Sequence, residues 1–309
     1  MGAVRENPHR DRAAAWQPPA TLTGPEYCSE AVFEQERRRI FHAGWFCVGR
    51  EEEAPLVESP AYGLAGALVL PTAVETWEGF VWVSLASDPV PLRDHLASWA
   101  DADPFQWGRY GLSDLVVGAR SEYRVAANWK LIVENYNECL HCPTVHPALT
   151  ELIPVYRVGE VEERPGQSHG NLLRDGATSF TFSGTSELPT LPGLSPGDVG
   201  VFNGTTILPN LIVNLTSDTV STFLLLPASA GETTVVSHYL FRPETVAAAH
   251  FDPSPVVEYR DALAQEDWTV CERAQRGNAS RSYACGGILP YADRYLAAFH
   301  ARYRRLMAA

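Results

Sequence analysis

The chain has 309 residues, of which 45% are hydrophobic and 20% are charged. These values are ordinary for one large globular domain or two smaller ones. The formal net charge of −13 argues against nucleic acid as a partner, because phosphate backbones are bound by clustered basic side chains. The sequence has neither a run of apolar residues long enough to cross a membrane nor an N-terminal secretory signal. We therefore expect a cytoplasmic protein with no nucleic-acid or membrane partner.

Cysteine usage supports the same expectation. The spacing of the six cysteines is not typical of a disulfide framework, and the chain is long enough to fold without one. They are Cys28, Cys47, Cys139, Cys142, Cys271 and Cys285. We expect reduced thiols.

The N-terminal third begins with a segment rich in proline, arginine and alanine, residues 1–24, which predicts a flexible arm. Ser29 can cap a helix that continues to about His42. Trp45–Gly49 predicts the start of a strand. Thr76–Leu85 is rich in β-branched and aromatic residues and predicts another strand.

The middle of the chain predicts a strand over residues 114–125, followed by a helix from Ala127 to about His141. Pro143 would end this helix. Residues 166–200 are dense in glycine, serine and proline and have little periodicity. So long a loop inside a folded domain is typical of a lid or an entrance to a site.

The C-terminal part predicts an antiparallel sheet followed by helices. Three runs have the pattern of strands: Thr205–Leu215, Val220–Leu226 and Thr233–Phe241. Pro255–Arg276 predicts a long helix that Gly277 ends. A last amphipathic helix carries Tyr295, Phe299, Tyr303 and Leu306 on its apolar face.

Acids and imidazoles are concentrated near residue 140. Glu134, Glu138 and His141 are four and three residues apart, so on a continuous helix they would share one face. Like charges at this spacing cost a few tenths of a kcal/mol, which a cation or a hydrogen-bond network can offset. A turn at Pro143 would fold His146 back toward His141. Two neutral imidazoles so placed suit iron or zinc.

A third ligand is predicted on the long C-terminal helix. Asp267 lies among apolar residues at helical spacing: Leu263, Ala264, Val270, Cys271 and Ala274. Burying its carboxylate there without a partner would be costly, and a metal cation would remove that cost. A hydrogen bond to the backbone or an arginine is the alternative. Glu266 is predicted to point away and to form a surface pair with Arg273.

Four segments carry a resemblance to a known family. Residues 128–147 closely resemble the catalytic-domain signature of the α subunits of Rieske non-heme iron oxygenases, the aromatic-ring-hydroxylating dioxygenase large subunits. Residues 41–49 resemble the family's N-terminal segment, residues 77–83 the strand that joins its two domains, and residues 265–277 the helix with the third iron ligand. The C-terminal half is most similar to the branch that acts on quaternary ammonium compounds such as glycine betaine, choline or carnitine.

The resemblance implies an α+β fold of the helix-grip type, in which helices surround an antiparallel sheet. It implies that His141, His146 and Asp267 bind a mononuclear Fe(II). It also implies that Glu138 carries electrons and protons between this iron and a Rieske cluster on a neighbouring subunit of a homotrimer. The implied partners are O2, a small-molecule substrate and a ferredoxin or reductase that donates electrons.

One feature of the family is missing from this sequence. A Rieske [2Fe-2S] cluster needs two cysteines and two histidines, which the family arranges as Cys-x-His and Cys-x2-His. Here the one Cys-x-His is Cys139–His141, inside the iron motif, and there is no Cys-x2-His. We therefore expect no Rieske cluster. The expected organisation is an arm at 1–24, an N-terminal helix with the remnant flank of an excised Rieske domain at 25–73, and a catalytic domain at 74–309.

Three functions follow as hypotheses. The first is the catalytic subunit of an oxygenase that hydroxylates or oxidatively demethylates an aromatic or quaternary ammonium substrate with electrons from another protein. The second is a non-catalytic or crippled iron-binding homologue that lost its Rieske domain. The third is a zinc hydrolase, since two histidines and a carboxylate also bind catalytic zinc. The His-Glu-x-x-His motif of many zinc proteases is absent from the sequence.

Overall fold

The structure is a computed structural model of the chain. It describes residues 17–53, 73–100, 104–159, 170–283, 286–290 and 293–308. The helices are α1 Gly24–Cys28, α2 Glu30–Glu36, α3 Leu92–Trp99, α4 Trp129–Tyr136, α5 Cys142–Val145, α6 Pro147–Leu152, α7 Pro243–Val246, α8 Ser254–Asn278 and α9 Arg294–Ala308. The strands are β1 Trp45–Arg50, β2 Ala73–Trp77, β3 Phe80–Ser84, β4 Val116–Val125, β5 Asn171–Leu172, β6 Val201–Ile207, β7 Leu211–Leu215, β8 Val220–Ser229 and β9 Glu232–Phe241.

A small antiparallel sheet with the order β1-β3-β2 pairs residues from the segment at 41–49 with residues from the segment at 77–83, two of the four segments that carry the resemblance. The prediction of one strand over Thr76–Leu85 is wrong, because the chain reverses between β2 and β3. Glu78 and Gly79 have φ of 51° and 74°, the left-handed backbone of a two-residue turn that matches the twist of paired strands. Glutamate is not a typical residue for such a turn, so the pattern did not reveal it.

The large sheet has the order β4-β9-β8-β7-β6-β5, and each neighbouring pair is antiparallel. The predicted strand over residues 114–125 is confirmed by β4. The prediction of one strand over Thr205–Leu215 is wrong, since the chain turns at Pro209 between β6 and β7. Proline has no N–H to donate and rarely occurs inside a paired strand. The α+β class with an antiparallel sheet is confirmed.

Helices α4 and α8 pack against each other and against the large sheet. The predicted helix from Ser29 is confirmed as α2, which continues as one π-helical turn, Arg37–Phe41. The long C-terminal helix is confirmed as α8, with Gly277 inside its last turn rather than after its end. The last helix is confirmed as α9, which buries Phe299 and Tyr303.

A buried ion pair fastens the N-terminal helix to the core. Nζ of Lys130 on α4 lies 2.5 Å from Oε1 of Glu36 on α2, and both side chains are fully buried. The same carboxylate accepts hydrogen bonds from Trp129 Nε1 at 2.9 Å and from the Tyr303 hydroxyl at 2.7 Å. Helices α2, α4 and α9 are therefore joined by one satisfied polar network inside an aromatic core.

The predicted arm at 1–24 and the predicted loop at 166–200 lie partly outside the described residues. Residues 54–72 and Cys285 lie wholly outside them. The end of the arm contacts the fold: Thr21 N donates to Gly287 O at 2.9 Å, and Leu22 is buried. From Gly170 to Gly200 the chain is irregular except for β5, as the composition of the predicted loop indicates. Among the described residues, no helix is both long and apolar enough to cross a membrane.

Candidate metal centre

The prediction that the helix beginning near Ala127 continues to about His141 is wrong, because α4 ends at Tyr136. Beyond it the carboxylate of Glu138 accepts hydrogen bonds from the backbone N–H groups of Leu140 and His141. These bonds replace the contacts that would continue a helix, so Glu134, Glu138 and His141 do not share a helix face. His141 instead lies directly before α5.

Three donor atoms meet at this irregular segment. His141 lies just before α5, His146 links α5 to α6, and Asp267 lies on α8. The Nε2 atoms of His141 and His146 are 3.1 Å apart. Oδ1 of Asp267 lies 2.9 Å from Nε2 of His146 and 3.4 Å from Nε2 of His141. The residues predicted as ligands are thus brought together and could hold a metal ion.

The triangle of donor atoms has the size that one ion requires. Ligands about 2.1 Å from an octahedral ion are about 3.0 Å apart when they occupy adjacent positions. The three observed separations lie on either side of this value. Two imidazoles and one carboxylate on one face leave the opposite positions open, which is the arrangement of non-heme iron oxygenases. The donor set therefore fits such an ion.

Each imidazole contacts a carboxylate other than that of Asp267 through its Nδ1 atom, on the side of the ring away from Nε2. Nδ1 of His141 lies 2.5 Å from Oε1 of Glu138, and Nδ1 of His146 lies 2.7 Å from Oε2 of Glu266. A carboxylate that accepts from Nδ1–H fixes the tautomer and leaves Nε2 to face a metal. The predicted surface pair of Glu266 with Arg273 is wrong, because the helix turns Glu266 toward His146. Spacing within α8 alone could not reveal this contact.

The site carries an excess of negative charge that a cation would balance. Burial opposes protonation of His141, but hydrogen bonds to Asp267 and Glu138 raise its pKa to about 9. Burial also raises the pKa of Asp267, yet its hydrogen bonds to both histidines outweigh this and hold that pKa below the ordinary value. Three carboxylates, those of Glu138, Glu266 and Asp267, thus surround two imidazoles.

The expectation that all cysteines are reduced is wrong for two of them. Cys139 and Cys142 form a disulfide across the segment that carries His141, with Cα atoms 5.0 Å apart. A Cys-x-x-Cys spacing at a turn brings two Cα atoms within the range that a disulfide requires, and the spacing itself was the missed signal. Cys28, Cys47 and Cys271 are free.

Glu134 lies outside the metal centre. Its Oε1 accepts from the Tyr27 hydroxyl at 2.8 Å and lies 2.9 Å from Nε2 of His300. This carboxylate therefore belongs to a structural network that links α1, α4 and α9. The sequence predicts that either a cation or a hydrogen-bond network offsets the like charges of Glu134 and Glu138. For Glu134 it is a hydrogen-bond network.

A cavity of about 140 Å³ opens beside the three donor atoms. Its aromatic lining residues are Tyr136, Tyr156, Phe180, Phe202, Phe223 and Tyr295. Polar residues that the sequence did not single out also line it, among them Arg260 and Asn214. Arg260 is on α8 seven residues before Asp267, so helical spacing from the predicted ligand could have identified it. Phe180 lies on the loop predicted as a lid or an entrance.

Sequence comparisons identify the relatives of this chain. The family described as ring hydroxylating alpha subunit (catalytic domain) matches residues 112–309. The glycine betaine monooxygenase oxygenase subunit of Pseudomonas aeruginosa (strain UCBPP-PA14) is 28% identical over 257 residues, which cover 73% of this chain and 58% of that relative. The carnitine monooxygenase oxygenase subunit of Acinetobacter pittii (strain PHEA-2) is 27% identical over 218 residues, covering 70% of this chain and 54% of that protein. This chain spans little more than half the length of these relatives.

Solved structures have the same fold. The quaternary ammonium Rieske monooxygenase CntA in complex with an inhibitor superposes with a TM-score of 0.69 at 19% identity, covering 99% of this chain and 100% of that one. Naphthalene 1,2-dioxygenase from Rhodococcus sp. bound to indole gives a TM-score of 0.65 at 15% identity and covers 97% and 96% of the two chains. Because the family match spans more than half of the chain and includes Glu138, His141, His146 and Asp267, the protein belongs to the ring hydroxylating alpha subunit family of Rieske-type oxygenases, over its catalytic domain.

Proposed function

We propose that this chain is the catalytic unit of a mononuclear iron oxygenase that hydroxylates or oxidatively demethylates a small organic substrate. The observation that carries the proposal is the triangle formed by Nε2 of His141, Nε2 of His146 and Oδ1 of Asp267. The carboxylates behind both imidazoles support it. The family supports iron as the metal, and Fe(II) held by these three side chains would supply activation of O2.

The chain's own residues would bind the metal, orient the ligating imidazoles and move protons near them. Glu138 and Glu266 hold the two imidazoles in the Nδ1–H tautomer, so both present Nε2. Asp267 supplies the single negative charge in the ligand set. Glu138 contacts His141, and 17% of its side chain is exposed to solvent, so it can exchange a proton between Nδ1–H of His141 and the surface. We assign to it the electron and proton route from a donor protein.

The substrate class is proposed from the cavity and the relatives together. The aromatic lining can hold either an aromatic ring or, through cation–π contact, a quaternary ammonium group. The relatives named for glycine betaine and carnitine favour the second, and the fold shared with naphthalene 1,2-dioxygenase keeps the first as the alternative. Electrons would come from a separate ferredoxin or reductase, since this sequence has no Cys-x2-His and its one Cys-x-His, Cys139–His141, lies inside the iron motif.

Oxygen consumption tests the proposal. Protein loaded with Fe(II) is mixed with a reductase–ferredoxin pair or with hydrogen peroxide, and with glycine betaine, carnitine or naphthalene as substrate. Demethylation would release one formaldehyde for each O2 and two electrons consumed, whereas hydroxylation would add one oxygen atom to the product. Asp267→Ala is the matched inactive control. No product by either route, from protein that holds a full equivalent of iron, would contradict an oxygenase.

A second candidate is an iron-binding homologue without turnover, and the missing cluster ligands favour it. Such a protein would bind iron through the same three side chains. It would give no product even with peroxide, which bypasses the need for electrons. The peroxide experiment therefore separates the two candidates.

A further inference from the structure

We infer that Arg260, together with Asn214, binds a carboxylate group of the substrate at the end of the cavity away from the metal ligands. This inference rests on the proposed function and deepens it, because it narrows a small organic substrate to an organic acid. It is carried by two buried donors that line one cavity and lack a partner within the described part of the chain.

The first donor is the guanidinium of Arg260. The residue is 6% exposed, and among the described residues no carboxylate lies within ion-pair distance of it. Its Nε is buried without a hydrogen-bond partner. Burying a charge away from water costs free energy unless an opposite charge lies beside it. A bound anion would supply that opposite charge to Arg260.

The contacts that Arg260 does make are aromatic. Its Cζ lies 4.1 Å from the ring centre of Phe180 and 5.7 Å from that of Phe202. Stacking on rings orients the guanidinium plane and leaves its N–H groups free for a carboxylate. Asp218 is an acid close enough to interact electrostatically with Arg260, although it forms no ion pair with it. Its carboxylate, however, accepts from the hydroxyl groups of Ser186 at 2.6 Å and Thr216 at 3.2 Å.

The second donor is the side-chain amide of Asn214. Its Oδ1 accepts a hydrogen bond from the Tyr136 hydroxyl at 2.9 Å, which fixes the orientation of the amide. Its Nδ2 is buried and has no partner in the described structure. Among the described residues that line the cavity, Asn214 and Arg260 are the ones with unpartnered buried side-chain atoms, and both atoms are donors. A ligand that satisfies them must bring acceptors.

The position of Arg260 sets where the rest of the ligand lies. Arg260, Leu263, Ala264 and Asp267 follow at i, i+3, i+4 and i+7 on α8, and all four line the cavity. Two helical turns separate the Cα atoms of Arg260 and Asp267 by about 10 Å. An acid held by its carboxylate at Arg260 therefore extends along Leu263 and Ala264 toward the metal ligands. The group that reaches them is the one that would be oxidised.

Calorimetric titration of the iron-loaded protein without O2 or reductant tests the inference. Two acids are compared with their own amides: benzoate with benzamide, and 4-(trimethylammonio)butanoate with its carboxamide. We expect at least one acid to bind about tenfold or more tightly than its amide, the range of a charge-assisted hydrogen bond to a buried guanidinium. The acid that binds more tightly identifies the remainder of the substrate as aromatic or quaternary ammonium.

Variants connect that preference to the two residues. Arg260→Gln should lower affinity for the acid about tenfold or more and leave the amide unchanged, while Arg260→Lys should retain part of the preference. Asn214→Asp, which adds a negative charge to the cavity wall, should also weaken binding of the acid. Arg273→Gln, an exposed arginine on the same helix, is the matched control and should change nothing.

The results that would overturn the inference are distinct from failure of the proposed function. Equal affinity for acid and amide in the unaltered protein would overturn it, as would absence of acid binding at millimolar concentration. A lower melting temperature of Arg260→Gln with the acid preference intact would assign the arginine a purely structural role. A protein that prefers the acid but never consumes O2 contradicts only the oxygenase proposal.

Discussion

The carboxylate of Glu266 lies 2.7 Å from Nδ1 of His146, on the side of the imidazole opposite the atom that faces Asp267. Glu266 and Asp267 are adjacent on α8, so one helix supplies both a proposed ligand and the acid that orients another. This arrangement makes the position of His146 depend directly on α8.

Glu266→Gln should weaken Fe(II) binding by about 10-fold to 100-fold, the usual effect of losing a carboxylate behind a ligating histidine. The dissociation constant measured by competition with a chelator checks this. Glu258→Gln, an exposed glutamate on the same helix, should bind iron as the unaltered protein does. Equal affinities in all three proteins would show that Glu266 has no role in the metal site.

Glu138→Gln should separate two routes to product. The single amide oxygen can still accept from Nδ1 of His141, but the variant lacks the charge and the acidic proton of the carboxyl group and the second oxygen that accepts from Leu140 N and His141 N. At saturating iron, turnover driven by a reductase–ferredoxin pair should fall by about a hundredfold, while peroxide-driven turnover stays within about twofold. Oxygen uptake and product yield measure the two routes. A parallel loss of both would mean that Glu138 serves only to hold His141.

The ion pair of Glu36 with Lys130 should be strongly coupled. Both side chains are fully buried, so Glu36→Gln or Lys130→Met alone strands one charge and should cost about 3–5 kcal/mol of unfolding free energy. The double variant should cost clearly less than the sum of the single ones, as measured by urea unfolding. The exposed pair of Arg120 with Glu122 is the control, and its coupling should stay below about 1 kcal/mol. Simple additivity at Glu36 and Lys130 would contradict the network.

His95 should make stability depend on acid pH. It is fully buried, its Nε2 lies 3.1 Å from Leu208 O, and burial lowers its pKa to about 3. The unfolded chain takes up this proton near pH 6.5 and the folded chain does not until about pH 3, so stability falls as the pH drops between these values.

The size of this effect is about 1.4 kcal/mol for each pH unit below 6.5, or about 2 kcal/mol at pH 5. Urea unfolding at pH 7 and pH 5 should therefore show a smaller loss of stability for His95→Gln than for the unaltered protein. His250→Gln, at an exposed histidine, should keep the full pH dependence. Identical pH profiles for His95→Gln and the unaltered protein would show that His95 does not contribute.

The meeting of the three proposed ligands was predictable from the sequence because each of them has a local signal. His141 and His146 lie five residues apart beside acids, and Asp267 is a charged residue within an apolar helix face. The partners of those ligands were harder to predict, since the contact of Glu266 with His146 joins positions 120 residues apart. The helix end at Tyr136 was missed because the carboxylate of Glu138 bonds to backbone N–H groups that a helical pattern assigns to a helix.

The strands were predictable in composition but not where tight turns divide them. A hairpin at Glu78 and Gly79 depends on left-handed backbone at a glutamate, which sequence preference does not favour. Arg260 was overlooked because an arginine on a helix is usually exposed. Phe180, one of the rings that cover it, lies on a loop whose conformation has no periodic signal in the sequence.

The metal content of the purified protein tests the central claim most directly. After expression with iron available, elemental analysis of the unaltered protein and of Asp267→Ala is combined with a visible spectrum of each. We predict about one iron per chain in the unaltered protein, no iron–sulfur absorption bands, and loss of the iron in Asp267→Ala with its helical circular dichroism unchanged. Zinc at full occupancy, iron–sulfur bands, or iron retained by Asp267→Ala would contradict a mononuclear iron site held by His141, His146 and Asp267.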